Sequence, residues 1–276
     1  MRATTRTTLE RAWHQTGRTF RLLVQGLLAP QYCLLCGDRT ASPDLRPLCH
    51  PCQDALPAVP RRLCDCCGIP VRGDLMERGI LCQECRNHLP SFHKACAFGL
   101  YQGPLRRLIR AYKFSGLRRL AHPLAELLEA AYRREALEAS RLAWVPSHPR
   151  RVRERGFDHM GCLAQALAQR CRLPLLGGFQ RVRHTPAQSG LSRSQRRRNL
   201  KGAFRMAPEA LEGPVLLVDD IFTTGATLEE ASSTLLRAGA SAVEVVTVAR
   251  VPLYWETTGP RLASQTSNHA PERTAS

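Results

Sequence analysis

From about residue 97 onward, the apolar positions alternate between short continuous runs and stretches with helical period. Ala97-Phe98-Gly99-Leu100-Tyr101 is a short apolar run. Between Pro104 and Lys113 the residues Leu105, Leu108, Ile109 and Tyr112 recur as one face of a helix. Pro123 to Ala139 repeats that period through Leu124, Leu127, Leu128 and Ala131. Leu142–Val145 reads as a strand and Gly161–Arg170 as a helix. Val215-Leu216-Leu217-Val218 is apolar without a break, the pattern of a parallel strand buried on both faces. Thr227–Ala238 reads as a helix closed by Gly239, and Ala242–Ala249 as a strand. This alternation predicts an α/β fold with a mostly parallel sheet.

The two ends of the chain break the pattern. Leu22–Ala29 is apolar but too short and too interrupted to span a bilayer, and Pro30 ends it. With the arginines that precede it, the segment 1–30 reads as an amphipathic lead rather than a cleaved leader. Glu256–Ser276 is rich in Thr, Ser, Pro and Ala with no hydrophobic period, and reads as a disordered tail. A cytoplasmic protein with no membrane insertion is expected. At 276 residues, 43% hydrophobic and 23% charged, the chain is long enough for one or two domains with a real core.

Cysteine placement adds a second module. Ten of the twelve cysteines lie between Cys33 and Cys96, which marks a small Cys-rich unit over 31–92 ahead of a larger domain over 95–255. Cys33-x2-Cys36 is followed after twelve residues by Cys49-x2-Cys52, and Cys64-x2-Cys67 after fourteen by Cys82-x2-Cys85. Two intervening residues let both sulfurs of a turn face one tetrahedral ion, and a second such turn closes a four-thiolate site. In a reducing compartment such clusters read as metal ligands before disulfides. Two structural zinc ions are expected, with a role in folding because closed sites leave no open position. Successive knuckles pair in the simplest arrangement, and an interleaved pairing has the same spacing. Cys66, beside Cys67, is an alternative ligand, whereas Cys96, Cys162 and Cys171 read as packed thiols.

The most informative stretch is Val215 to Thr227, VLLVDDIFTTGAT. An apolar strand runs into Asp219 and Asp220, then a turn through Thr223, Thr224, Gly225 and Ala226, then the helix from Thr227. Free amides at a helix start, with hydroxyls beside them, favour a phosphate, and glycine permits close backbone approach. Carboxylates just before that turn repel a phosphate, so they suit sugar hydroxyls or a hydrated Mg2+. The order describes a ribose 5-phosphate site.

Val218 to Thr227 resembles the 5-phosphoribosyl-1-pyrophosphate (PRPP) motif of type I phosphoribosyltransferases. Two further segments extend the likeness: Trp144–Asp158, with its dense arginines, and Arg181–Phe204, which carries Arg183, Thr185, Gln188, Leu191, Arg196, Arg197, Arg198 and Asn199. With the double cysteine module, the chain resembles the ComF/GntX family over roughly residues 20–252. The resemblance implies a mostly parallel-sheet type I phosphoribosyltransferase fold with an N-terminal double zinc ribbon. It also implies that Ser147–Arg155 is the pyrophosphate loop and Arg183–Asn199 a flexible loop containing Arg183, Gln188, Arg198 and Asn199. Tyr101–Lys113, followed by Phe114, looks like the family's first helix. The chain departs from the family pattern in two places: Asp158-His159 stands where Asn-Gln is usual, and Ser147 where an apolar residue is usual.

Charge sharpens the functional question. Lys plus Arg is 40 against 23 for Asp plus Glu, a formal charge of +17, and Lys94, Lys113 and Lys201 are the lysines. From His159 through Pro208 there are ten Arg or Lys and no acid. Two functions follow. As an enzyme, the chain would transfer phosphoribosyl from PRPP with Mg2+, inverting at the anomeric carbon, to an acceptor the sequence does not name. Asp219 and Asp220 would hold ribose hydroxyls and metal-bound water, Thr223–Thr227 the 5-phosphate, and Arg151, Arg155 and Arg153 the leaving pyrophosphate. As a binding protein, it would take single-stranded DNA, which the family resemblance links to natural competence and a helicase partner. The excess arginine suits a polyanion, and an ordinary solvated basic surface has the same composition. Aromatics are only 6%, with Phe157, Phe179 and Phe204 the nearest stacking candidates, each more simply read as core.

Overall fold

The continuous apolar runs and the helical-period stretches sort into one sheet and the helices that cover it. A computed structural model describes residues 32–38, 48–60, 62–71, 79–183, 193–207 and 211–252. The expected lead 1–30, the tail 256–276 and the loop positions Thr185, Gln188 and Leu191 lie outside the described residues.

Two short helices, α1 (His50–Asp54) and α2 (Gln83–Asn87), lie in the cysteine-rich part. The remaining elements are β1 (Lys94–Leu100), α3 (Gly103–Phe114), a 3-10 turn (Arg118–Leu120), α4 (Ala121–Arg134), β2 (Arg141–Trp144), α5 (Pro149–Arg155) and α6 (His159–Cys171). They continue with β3 (Phe179–Arg181), α7 (Arg193–Leu200), β4 (Phe204–Met206), β5 (Pro214–Phe222), α8 (Ala226–Arg237) and β6 (Ala242–Arg250). Four strands form a sheet in the order β1-β6-β5-β2, and β3 and β4 form a separate two-stranded pair. Every pairing in the larger sheet is parallel, with Val218 opposite both Trp144 of β2 and Val246 of β6. The parallel-sheet α/β fold expected from the alternation is the one found.

Strand alternation divides the core in two. Leu216 and Val218 join Leu105, Leu108, Leu124, Leu128 and Leu163 under α3, α4 and α6. Val215 and Leu217 face the other way, toward Leu228, Leu235, Phe179 and Phe204 and toward the second cysteine group. No helix among the described residues is long and apolar enough to cross a membrane.

Four elements differ from the sequence expectation. The helix expected over 123–139 stops at Arg134, and Ala136 follows in the left-handed region (φ 46°). Strand β5 continues past Val218 through both aspartates to Phe222, because Asp219, Ile221 and Phe222 keep register with β6. The arginine turn after β2 is partly helical: Pro149 opens α5, the His148 ring accepts a hydrogen bond from the Arg150 amide, and Gly156 (φ 75°) ends it. The second half of the expected flexible loop is helix α7, anchored by the fully buried Leu200. Both helices are too polar to show a hydrophobic period, which is why the pattern missed them.

Candidate active site

Ligands of open parallel sheets bind outside the carboxyl ends of the strands. Here that edge carries a cavity of about 260 Å3 between the ends of β2 and β5. Its charged walls are Lys113, Arg151, Arg155, Arg181, Asp219 and Asp220, with Ser147, His159, Thr223 and Thr227 among the other lining residues.

Arg151 and Arg155 lie four residues apart, so one face of α5 turns both toward the cavity. Arg153, expected to join them, is exposed on the other side of that helix and does not line the cavity. Burial lowers the pKa of the Arg155 guanidinium, and burial followed by the neighbouring Arg151 charge lowers that of Arg181. Two desolvated cations on one wall form a receptor for an anion.

The acidic pair, assigned one shared role from sequence, is split in two by its surroundings. Asp220 Oδ2 lies 2.7 Å from Lys113 Nζ and 3.2 Å from His159 Nε2. The His159 ring is buried, and Arg155 Nη1 lies 2.9 Å from its Nδ1. An Arg155 N–H donated to Nδ1 leaves the Nε2–H for Asp220. Tyr112 Oη donates to the His159 carbonyl at 2.5 Å and so ties α3 to the start of α6. Burial opposes ionisation of Asp220, but Lys113 and His159 outweigh it and hold the carboxyl well below the usual range. Asp219 has the opposite balance: burial and then the Asp220 charge push it up to about 8. Its Oδ1 accepts the Asp220 amide at 2.9 Å, and the rest of the group faces the cavity.

Beyond β5, Thr223 and Thr227 line the cavity, while Thr224 and Gly225 sit on the far wall of the turn, with Ala226 buried. Gly225 has φ 82°, and a Cβ there would stand 2.8 Å from the Phe222 ring. Of the four flexible-loop candidates, Arg183 turns to the end of α7, donating from Nη2 to the carbonyls of Asn199 (2.6 Å) and Lys201 (2.7 Å). Arg183, Arg198 and Asn199 are not among the residues lining the cavity.

Sequence reasoning passed over Lys113, His159 and Arg181 as site residues. His159 carried a signal, because it belongs to one of the two departures from the family pattern beside the expected pyrophosphate loop. Lys113 and Arg181 stood at the ends of two segments that resemble the family, Tyr101–Lys113 and Arg181–Phe204, without a role attached to either.

The cysteines assemble as two sets, Cys33, Cys36, Cys49 and Cys52, and Cys64, Cys67, Cys82 and Cys85, with the sulfurs of each set within 4.8 Å of one another. Successive knuckles therefore pair, and Cys66 stands outside the second set. Zinc–sulfur bonds of about 2.3 Å at tetrahedral angles place sulfurs about 3.8 Å apart. The Cys36–Cys49 and Cys67–Cys82 sulfur separations are 3.6 Å and 3.7 Å. Backbone amides donate to sulfurs of both sets, Leu35 N to Cys33 at 3.4 Å and Cys82 N to Cys64 at 3.3 Å among them. All eight are free thiols, so the donor sets are compatible with structural zinc. Cys96 is a packed thiol: burial pushes its pKa up to about 12, and its S–H points at the Ala131 carbonyl, 3.8 Å away.

Comparison with known proteins adds to this geometry. Residues 160–258 match the family model of the phosphoribosyl transferase domain. The chain is 35% identical over 213 residues to Competence protein F of Haemophilus influenzae, covering 74% of this chain and 90% of that protein. It is 33% identical over 205 residues to the DNA utilization protein YhgH of Escherichia coli K12, covering 72% and 88%. Among solved structures, a glutamine PRPP amidotransferase from B. subtilis aligns at 20% identity and a TM-score of 0.36, over 50% of this chain and 30% of that one. Identity of 35% across 90% of Competence protein F, a phosphoribosyl transferase domain and two four-cysteine sets ahead of it together place this chain in the ComF/GntX family.

Proposed function

We propose that the chain binds PRPP together with Mg2+ in the cavity between β2 and β5 and transfers its phosphoribosyl group to an acceptor. The observation that carries this reading is that desolvated arginines and one half-buried carboxyl line the same cavity as the hydroxyl-bearing Thr223 and Thr227 at the end of β5. Thr223 and Thr227, with the amides of the turn Thr224–Ala226, take the 5-phosphate. Asp219 accepts from the ribose hydroxyls, while Asp220, already paired with Lys113 and His159, fixes the end of β5 instead of touching the sugar. Arg151, Arg155 and Arg181 stabilise charge on the departing pyrophosphate as its bond to the anomeric carbon breaks and the acceptor bond forms on the opposite face. Magnesium, when bound with PRPP, would neutralise pyrophosphate charge, and Asp219 is the carboxylate that would hold its water shell. Zinc in both cysteine sets would supply folding free energy to a ribbon module over 31–92 ahead of the transferase domain over 95–255. Twelve free thiols suit the reducing cytoplasm.

The test is calorimetry with PRPP, with and without Mg2+. A Mg2+-dependent heat that disappears in Asp219→Asn is expected, and no heat from PRPP under either condition overturns the reading.

One observation favours a second reading, binding of single-stranded DNA. Phe114 is exposed beside the cavity, with the Arg110 and Arg155 guanidiniums 5.7 Å and 5.6 Å from its ring centre. Arg106, Arg107 and Arg110 stand exposed along α3 next to it. An aromatic face among guanidiniums is the chemistry of a base-stacking site. Phe157, Phe179 and Phe204, weighed for that role and read more simply as core, are all buried. The name of the E. coli relative, DNA utilization protein YhgH, is in keeping with this reading. A thymidine-rich oligonucleotide that binds Phe114→Ala as tightly as the native chain overturns it.

A further inference from the structure

Arg250, the last residue of β6, is 1% exposed. Its Nη2 donates to Cys67 Sγ at 3.7 Å, and its guanidinium carbon lies 3.6 Å from the centre of the Phe222 ring. Cys67 belongs to the second four-cysteine set, and Phe222 is the last residue of β5, immediately before the phosphate-binding turn. The Phe222 ring meets Phe92 edge-on at 5.9 Å, and Gly225 rests on it so closely that a Cβ would stand 2.8 Å away. A small cavity of about 30 Å3 touches both sides of this contact, lined by Cys67, Cys85, Phe222, Thr224, Gly225 and Arg250 among others.

Two backbone contacts fix the rest of the wall. The Ala95 amide of β1 donates to the Cys66 carbonyl at 2.7 Å, and Gly68 packs where a Cβ would meet Ala95 O at 2.5 Å. Ser91 donates from its amide (2.8 Å) and its hydroxyl (2.7 Å) to the two carboxylate oxygens of Glu229, in the first turn of α8. The second cysteine set is therefore packed directly behind the turn Thr223–Thr227, on the side away from the ligand cavity.

A guanidinium this deeply buried is stabilised by negative charge among its neighbours. Four thiolates around a divalent cation carry a net double negative charge, and they also hold Cys67 Sγ at a fixed point. We propose that Arg250 is a positioning residue that transmits metal occupancy at Cys64, Cys67, Cys82 and Cys85 to the phosphate-binding turn through the Phe222 ring. Metal binding there and ribose phosphate binding in the main cavity are then linked. By reciprocity each strengthens the other by the same factor. The link rests on the reading of Thr223–Thr227 as a phosphate site.

The test uses the full chain, loaded with zinc, and the variants Arg250→Met and Arg250→Lys. Zinc content is measured by chelator titration, and hydrogen exchange is followed at the amides of residues 223–228. Stripping zinc from the native chain is expected to speed exchange there by about tenfold, within the usual range of coupling between sites. Arg250→Met with its zinc retained should exchange as fast as the stripped native chain. Arg250→Lys keeps a buried cation but loses the planar stack, so it should also exchange faster while its zinc content stays at the native value. Native exchange rates in both zinc-loaded variants overturn the proposal, and so does an unchanged rate in the native chain after stripping. Calorimetry with ribose 5-phosphate on the same samples should show about tenfold weaker binding to Arg250→Met. If ribose 5-phosphate binds none of the samples, the phosphate-site reading falls, and the exchange rates still decide the link.

Discussion

Replacing Lys113 by Met removes the cation that answers Asp220. The pair is 2.7 Å apart, with side chains 17% and 8% exposed, so water can do little to replace the missing partner. His159 Nε2, at 3.2 Å, stays as a hydrogen-bond donor to the same oxygen. Breaking a buried pair by removing one member costs about 3–5 kcal/mol, because the other charge is left uncompensated. Set against a typical total stability of about 5–15 kcal/mol, that is a large loss. The pH dependence carries a sign. In the native chain the Asp220 pKa is depressed, so the pairing stabilises above the unfolded-state value near ~4 and is lost as pH falls through the lower folded value. Without Lys113 the buried carboxyl gains by taking up a proton, so the gap between variant and native chain should narrow as pH falls. Urea denaturation followed by tryptophan fluorescence, with Trp144 at the end of β2 as a reporter, measures both effects at about pH 7.5 and about pH 5. The double variant Lys113→Met/Asp220→Asn should recover more than half of the loss, since no buried charge is then stranded. A loss under about 1 kcal/mol at the higher pH, or one that is the same at both pH values, refutes a buried pair that depends on Lys113.

Three more outcomes are expected. Mg2+-dependent PRPP binding should strengthen by up to about tenfold per pH unit as pH rises toward 8, because burial keeps a proton on Asp219 that the cation must displace; an equally steep profile in Asp219→Asn contradicts this. Gly225→Ala should cost about 1–2 kcal/mol from the left-handed backbone alone, with more from displacing Phe222, and should weaken ribose 5-phosphate binding by about tenfold or more. Native-like affinity in that variant would show that the turn does not hold the phosphate. Changing Arg106, Arg107 and Arg110 together to Ala should reduce the salt slope of oligonucleotide binding by about 0.7 for each phosphate these arginines neutralise, with ribose 5-phosphate affinity unaltered; an unchanged slope puts the DNA elsewhere.

What was legible in the sequence was what neighbouring residues encode together. Two residues between cysteines fix whether two sulfurs share a turn, so the four Cys-x2-Cys knuckles were readable before any fold was known, while their grouping in successive pairs and the exclusion of Cys66 came from the fold. The run from Val215 to Thr227 was readable for the same reason, since strand, acidic pair, turn and helix follow one another without a gap. The apolar alternation from Ala97 onward likewise implied a parallel sheet, because buried strands and one-sided helices differ in local period.

Tertiary structure alone decided which distant residue answers which charge. Lys113 and His159 reach Asp220 across the gap between α3, α6 and the end of β5, and no spacing rule connects them. The pleat then separates two adjacent aspartates that look equivalent in sequence. Asp220 turns toward the helix layer and is paired there, whereas Asp219 is left with the raised pKa of a buried acid. Arg151 and Arg155 became neighbours and Arg153 did not because α5 is a helix, which a polar arginine run does not reveal. Arg250 gave no sign of a role, since its contacts with Cys67 and Phe222 exist only once β6 lies beside β5 with the second cysteine set packed behind them. Local chemistry is written in short-range order along the chain, while pKa, pairing and linkage depend on burial and on contacts that folding alone creates.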